Sequence, residues 1–539
     1  MRLNRYSASL VALFLGMSGV QAEPILTSWF TLNSSVYARV IQTNGASSTT
    51  TWPASGVANN NTSGASQSFP AYSDVQAIRC NATNVYINAS GLASYTMGPW
   101  YGSAAQTAPW GFWPLSQNYT VQLPRTPGTV PAAKTTHQGG VIGLMVNGVG
   151  IYDLGDAFGF VQTANSPSVT GSDVMGSTGT THPWWRDALA VEVVTFDPGF
   201  AHQPGLNGQY HYHAEPKALR YQLGDNMDAT YNSTKKTYTY TETTNTANLH
   251  HSPILGWSFD GYPIYGPYGY ANSTNPASAI RRMRAGFVLR NTTNATTYGV
   301  ADLTTNTIGR TTLAKWAAIA EGLATSANYS SQTLNNGDLV LSAANYGSTT
   351  TYVITGPGGG TCSIGRYIGD YDFLGDRGKV EGVDFDLDQY NGRFCVTPDF
   401  TNGTYAYFVA IDASGNPVFP YMLGKQYYGT KSGTAQGVVI PASGITNYFL
   451  GGTNLQEVLK APAVNPANGN VTLTWSSVEG GTYVLLSTTN LYSASWTTNA
   501  TLAAATYSLT TTAFHVGVAL TNSVRFYRVG RIGVAPFSQ

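Results

Sequence analysis

The chain predicts a mainly β protein: a large β-rich, sandwich-like domain with surface insertions, followed by a small β-sandwich. Three observations carry that expectation. Thr, Ser, Asn, Gly and Tyr are abundant, with 59 glycines and 35 tyrosines against only 10% charged residues, and these types suit pleated strands and turns better than surface helices. Short apolar runs recur with turn dipeptides between them, whereas helical spacing is confined to one stretch. At 539 residues the chain also exceeds one ordinary domain, so two or three are expected.

The elements follow in order. Arg2 and Arg5 precede an apolar run from Leu10 to Leu15, and Val20-Gln21-Ala22 offers the small residues a signal peptidase reads. Residues 1–22 therefore read as a signal peptide cleaved after Ala22, and the protein as secreted or placed in the cell envelope. The run is too short to cross a bilayer, which takes roughly 20 apolar residues; no other segment qualifies, so no membrane span is expected. Residues 23–71 form a loop-rich, low-complexity entry, and 72–458 the large domain. Within it Val85 to Ile87 is a strand. Val141 to Asp153 is a hairpin turning on Asn147-Gly148, and Ile254 to Tyr265 another on Asp260-Gly261, because only residues tolerating positive φ make such turns cheaply. Tyr405 to Val418 repeats the logic around Ser414-Gly415-Asn416. The nearly continuous apolar run Ala188 to Phe196 reads as a strand buried on both faces. Leu313, Trp316, Ala317 and Ala320 keep helical spacing and give one short helix. Segments near 291–307 and 326–360, rich in Ser, Thr, Asn and Gly, are surface insertions. A composition break at Ala461-Pro462-Ala463 opens a module over 461–539, whose closing strand Val524 to Val529 is similar to those of fibronectin-like modules. Such modules act as spacers or binding units, which implies cell-surface or polysaccharide contact.

Charge narrows the partners. Lys plus Arg and Asp plus Glu each number 27, so no basic field exists to attract nucleic acid. The three cysteines, Cys80, Cys362 and Cys395, allow at most one intrachain bridge. Cys362 with Cys395 is the expected pair, since both flank one glycine-rich and acidic stretch; three inert thiols are the alternative.

Chemistry concentrates in the histidines. Four of the eight fall in two tight clusters. In the run Gly208-Gln209-Tyr210-His211-Tyr212-His213, alternate side chains of an extended segment share a face, so His211 and His213 project together and Tyr210 and Tyr212 project opposite. Two imidazoles so placed can reach one ion at about 2.0–2.1 Å. Glu215 would share their face if the strand continued, but Pro216 ends it. In His250-His251 the side chains point oppositely, so one joins the site; His251, nearer the following hairpin, is the expected third ligand. Tyr210, Tyr212, His250 and Asp260 are expected to line or orient the site. Imidazole ligation suits copper or zinc, with iron open, and the sequence does not choose. The competing reading is that these histidines only pack and satisfy carbonyls. Asp384, Asp386 and Asp388 resemble a calcium loop, but Gln389 stands where an EF-hand needs Gly and Cys395 where it needs Glu; calcium is the lesser candidate.

The run Gln209-Tyr-His-Tyr-His213 also matches the motif of the YHYH protein family. The resemblance extends to Gly140 to Tyr152, Trp185-Arg186-Asp187-Ala188, His251 to Tyr268, Asp388 to Phe394 and Gly403 to Phe408, and spans about Tyr72 to Tyr428. It implies an exported protein with a histidine site and names no reaction. Three functions remain in view: a metal-binding protein of the envelope, a metal-dependent extracytoplasmic enzyme such as a hydrolase or copper oxidase, and a non-catalytic surface or adhesion protein with structural histidines.

Overall fold

The computed structural model describes most of residues 23–534; outside the described residues lie 1–22, 177–183, 290–350, 354–360, 452–462, 465–470, 504–510, 517–524 and several other stretches. The expected signal segment, the helix expected around 313–320 and most of both expected insertions are among those outside.

Two sheets enclose the main core. β1 (Val75–Cys80), β2 (Asn84–Ala89) and β3 (Tyr119–Pro124) form an antiparallel meander. The larger sheet comprises β4 (Val141–Met145), β5 (Gly150–Tyr152), β6 (His211–Tyr212), β7 (Ile254–Ser258), β8 (Pro263–Tyr265), β9 (Gly392–Cys395) and β10 (Thr404–Phe408). Its strands lie in the order β6-β5-β4-β7-β8-β10-β9, and β11 (Thr446–Leu450) returns to pair beside β1 in the meander. Val85, Ile87, Val121 and Leu123 of the meander share one buried cluster with Leu144, Ile151, Leu255, Trp257 and Ile264 of the larger sheet. Central β7 is buried along its whole length, which explains its unbroken apolar run. All three predicted turns form: Gly148, Gly261 and Gly415 adopt φ of +80°, +88° and +77°, a region costly for any residue with a Cβ.

One segment departs from expectation. Residues 188–196 are not a strand: Ala188–Glu192 form helix α1, continued by a 3-10 turn over Val193–Thr195. The Asp187 carboxylate accepts from the Ala190 amide and caps the helix, a contact worth about 1 kcal/mol. Val193 and Val194 stay 40% and 42% exposed, so the apolar run is not buried on both faces. A second helix, α2 (Lys217–Gln222), starts directly after Pro216.

Cys80 and Cys395 are free and buried, so the expected Cys362–Cys395 bridge does not form. Cys395 is built into the main core on β9, while Cys362 sits in a separate two-stranded sheet. Toward the C-terminus, Ala463–Val464, Val471–Ser476 and Thr511–Val516 form one three-stranded sheet, and Thr497–Ala503, Gly481–Thr488 and Phe526–Val534 another. Leu473 and Trp475 of the first meet Tyr483, Leu485 and Val529 of the second in a core of their own, the packing of a small sandwich. Among the described residues, no helix is long and apolar enough to cross a membrane.

Candidate metal centre

The motif strand β6 runs parallel to β5, pairing His211 with Gly150 and Tyr212 with Ile151. A second backbone segment lies on its other side. His202 and His211 exchange both main-chain hydrogen bonds, His211 N to His202 O at 2.9 Å and His202 N to His211 O at 3.3 Å. Residues directly opposite in such an antiparallel pair share a face, and His213, just past the end of β6 and two residues from His211, turns its ring to the same side. Hence one ligand atom from each of His202, His211 and His213 lies within 4.8 Å of the others, all three residues being buried.

The rings are oriented from behind. Nδ1 of His211 lies 2.7 Å from the Gln209 carbonyl, and Nδ1 of His213 lies 2.6 Å from the Asp153 carbonyl. A carbonyl only accepts, so both Nδ1 atoms carry hydrogen and each neutral ring turns its Nε2 lone pair inward. His202 Nδ1 is 2.7 Å from Thr195 Oγ1, whose own hydrogen goes to the Glu192 carbonyl; its Nε2 is therefore the inward atom too. The Nε2 atoms of His211 and His213 face each other at 2.9 Å. Two lone pairs so close repel unless a proton or a metal cation lies between them. Holding each remaining ring nitrogen with a fixed acceptor is what imidazole ligation of a metal requires.

A carboxylate completes the surroundings. Glu192, at the end of α1, places Oε2 3.1 Å from His213 Nε2 and 3.5 Å from His202 Nε2, while its side chain keeps 28% exposure. Burial alone would raise its carboxyl, but His202 and His213, donating to it from Nε2 when those rings are protonated, outweigh that and hold it well below its ordinary value. Burial lowers His211 well below the usual imidazole range, helped by His213 and His202, and holds His202 down despite Glu192. His213 goes the other way: Glu192 and the Asp153 carbonyl overcome burial and raise it. Tyr152 stacks on His211 with centroids 3.7 Å apart, and Phe196 packs edge-on to His202 at 4.7 Å; these two rings wall the centre.

The other expected site residues lie elsewhere. His251 is outside the cluster: its ring packs 5.1 Å from Tyr265 and 4.9 Å from Tyr270, with Nδ1 at the Ser252 carbonyl. It precedes β7, three strands from β6, and three strand spacings make about 14 Å, beyond reach of one ion. His250 is exposed, its Nε2 2.9 Å from the Gly224 carbonyl. Asp260 accepts from Tyr407 Oη at 2.7 Å and from the Gly429 amide. Tyr210 and Tyr212 point away from the histidines into the core, where both hydroxyls meet that of Tyr95 and Tyr210 also donates to Asp197 at 2.8 Å. Nor do the three aspartates of the acidic stretch converge: Asp386 is gripped by Arg281 and Arg284, while Asp388 accepts from Tyr405 and backbone amides.

Sequence reasoning missed His202, Glu192 and Tyr152. A signal for the first existed: His202 is separated from His211 by Gln203-Pro204-Gly205 and Asn207-Gly208, turn residues able to fold the two histidines opposite each other. Glu192 was hidden by reading its helix as a strand.

Fold and site together define a β-rich protein with a buried three-histidine centre that can hold a metal ion. The YHYH protein family model matches residues 120–419, and the chain belongs to that family. No curated protein and no solved structure matches it.

Proposed function

We propose that this is an exported protein that holds a transition-metal ion, copper or zinc, on Nε2 of His202, His211 and His213. The observation that carries the reading is the convergence of the three rings with every Nδ1 already engaged. Imidazole nitrogen is a ligand that suits both copper and zinc. Export rests on the leader-like residues 1–22. The C-terminal sandwich is read as a fibronectin-like spacer or binding unit that meets cell-surface polysaccharide.

A metal-dependent enzyme is the second reading, and Glu192 favours it. Bound at this site, a metal ion supplies Lewis acidity or electron-transfer chemistry. Glu192 is a partly exposed carboxylate beside otherwise buried rings, placed to exchange a proton with a molecule arriving there. Elemental analysis of natively purified protein tests the main reading. About one equivalent of copper or zinc is expected in the wild type and none in His211→Ala/His213→Ala. A metal-free wild type that takes up neither ion on reconstitution leaves the histidines structural.

A further inference from the structure

The far side of α1 borders a cavity of about 560 Å³, a volume in the small-molecule range. Its walls are aromatic: Phe200, Phe287, Tyr371, Phe419 and Tyr421 all face it, with Tyr371 and Phe419 stacked 4.1 Å apart. The Tyr421 hydroxyl is spent on Asp187 at 2.6 Å. One charged side chain, Lys217 at the start of α2, stands among the described lining residues. It also lines a neighbouring cavity of about 320 Å³, together with Phe200.

The ammonium of Lys217 is weakly held. Its contacts are the Gly415 carbonyl at 3.5 Å, the Phe200 ring face at 5.0 Å and Glu215 Oε2 at 3.9 Å. Glu215 is itself committed to Arg220 through its other oxygen. A cation whose carboxylate contact, Glu215 Oε2, stands 3.9 Å away, beyond hydrogen-bond reach, and which is set at the junction of two spaces with aromatic walls, is complementary to a flat ligand bearing one negative group. Its anion would gain a charge-assisted bond and its ring the aromatic surface.

We infer that this cavity is a binding site for a planar aromatic anion, a carboxylate or sulfonate, anchored by Lys217. The site is distinct from the metal centre but shares α1 with it: Leu189, Ala190 and Val193 line the cavity, and Glu192 of the same helix meets His202 and His213.

The test is a fluorescence titration of the full-length protein with 8-anilinonaphthalene-1-sulfonate. One-to-one saturable binding is expected, displaced by 1-naphthoate but not by neutral 1-naphthalenemethanol. Lys217→Met should weaken binding about tenfold or more, Lys217→Arg should retain it, and Val418→Trp, filling the cavity, should abolish it. Metal content should stay at the wild-type level in every variant, so the outcome is separable from that of the metal centre. Absence of saturable binding, equal displacement by the neutral alcohol on the wild type, or indifference to Lys217→Met overturns the assignment.

Discussion

The two histidine clusters of this chain look alike in sequence and differ completely in the fold. His211 and His213 sit on an edge of the larger sheet, where a returning segment adds His202 and three rings meet. His250 and His251 lie three strands away, one exposed and the other enclosed by Tyr265, Tyr270 and Phe408. In the first cluster every Nδ1 is fixed and every Nε2 faces a shared space. In the second, His251 fixes Nδ1 on Ser252 but leaves Nε2 buried with no hydrogen-bond partner. What makes a ligand set is therefore register across strands, and adjacency along the chain says little about it.

The comparison breaks or sharpens at defined points. The largest effect is expected from His202→Ala, which should weaken metal binding by more than about 100-fold, the upper end for losing a mere orienting partner. His251→Ala should keep full metal content, and metal loss in a folded His251→Ala protein would erase the distinction. That same variant should instead lose about 2–3 kcal/mol of stability in urea unfolding, because it hollows an aromatic-lined core position. Thr195→Val comes next: freeing the His202 ring should cost about 10–100-fold in metal affinity, with Thr195→Ser restoring it.

Acid should then act oppositely on His213 and His251 in metal-free protein. His213 is held above its ordinary value of roughly 6.5, so its stabilising proton is present below that value and is lost as pH rises through the raised one. His251 is held below by burial, so it costs stability as pH falls through roughly 6.5. Thermal melts between about pH 5 and 8 should show His213→Ala penalised more on the acid side and His251→Ala penalised less there. The reverse pattern would contradict the environments described. The smallest effect belongs to His250→Ala, expected within about 0.5 kcal/mol of wild type by the same unfolding measurement.

Much of the fold was legible because its signals are local. Asn147-Gly148 and Asp260-Gly261 name their own turns, and the period-two logic of His211 and His213 needs only three residues. The third ligand was not legible in that way, since pairing His202 with His211 depends on a loop that refolds the chain on itself. Choosing His251 assumed that the hairpin it precedes meets the motif strand at one point in the fold. The segment 188–196 failed for a different reason. Its apolar content is compatible with strand or helix, and the deciding term is one hydrogen bond from the Ala190 amide to the Asp187 side chain.

The bridge between His202 and His211 has a mechanical corollary. An ion gripped by both residues would cross-link the two ends of the loop between them, much as a disulfide would. Because the three rings meet only in the folded chain, loading would stiffen that loop in the native state, so its amides should exchange with deuterium more slowly once the ion is in place.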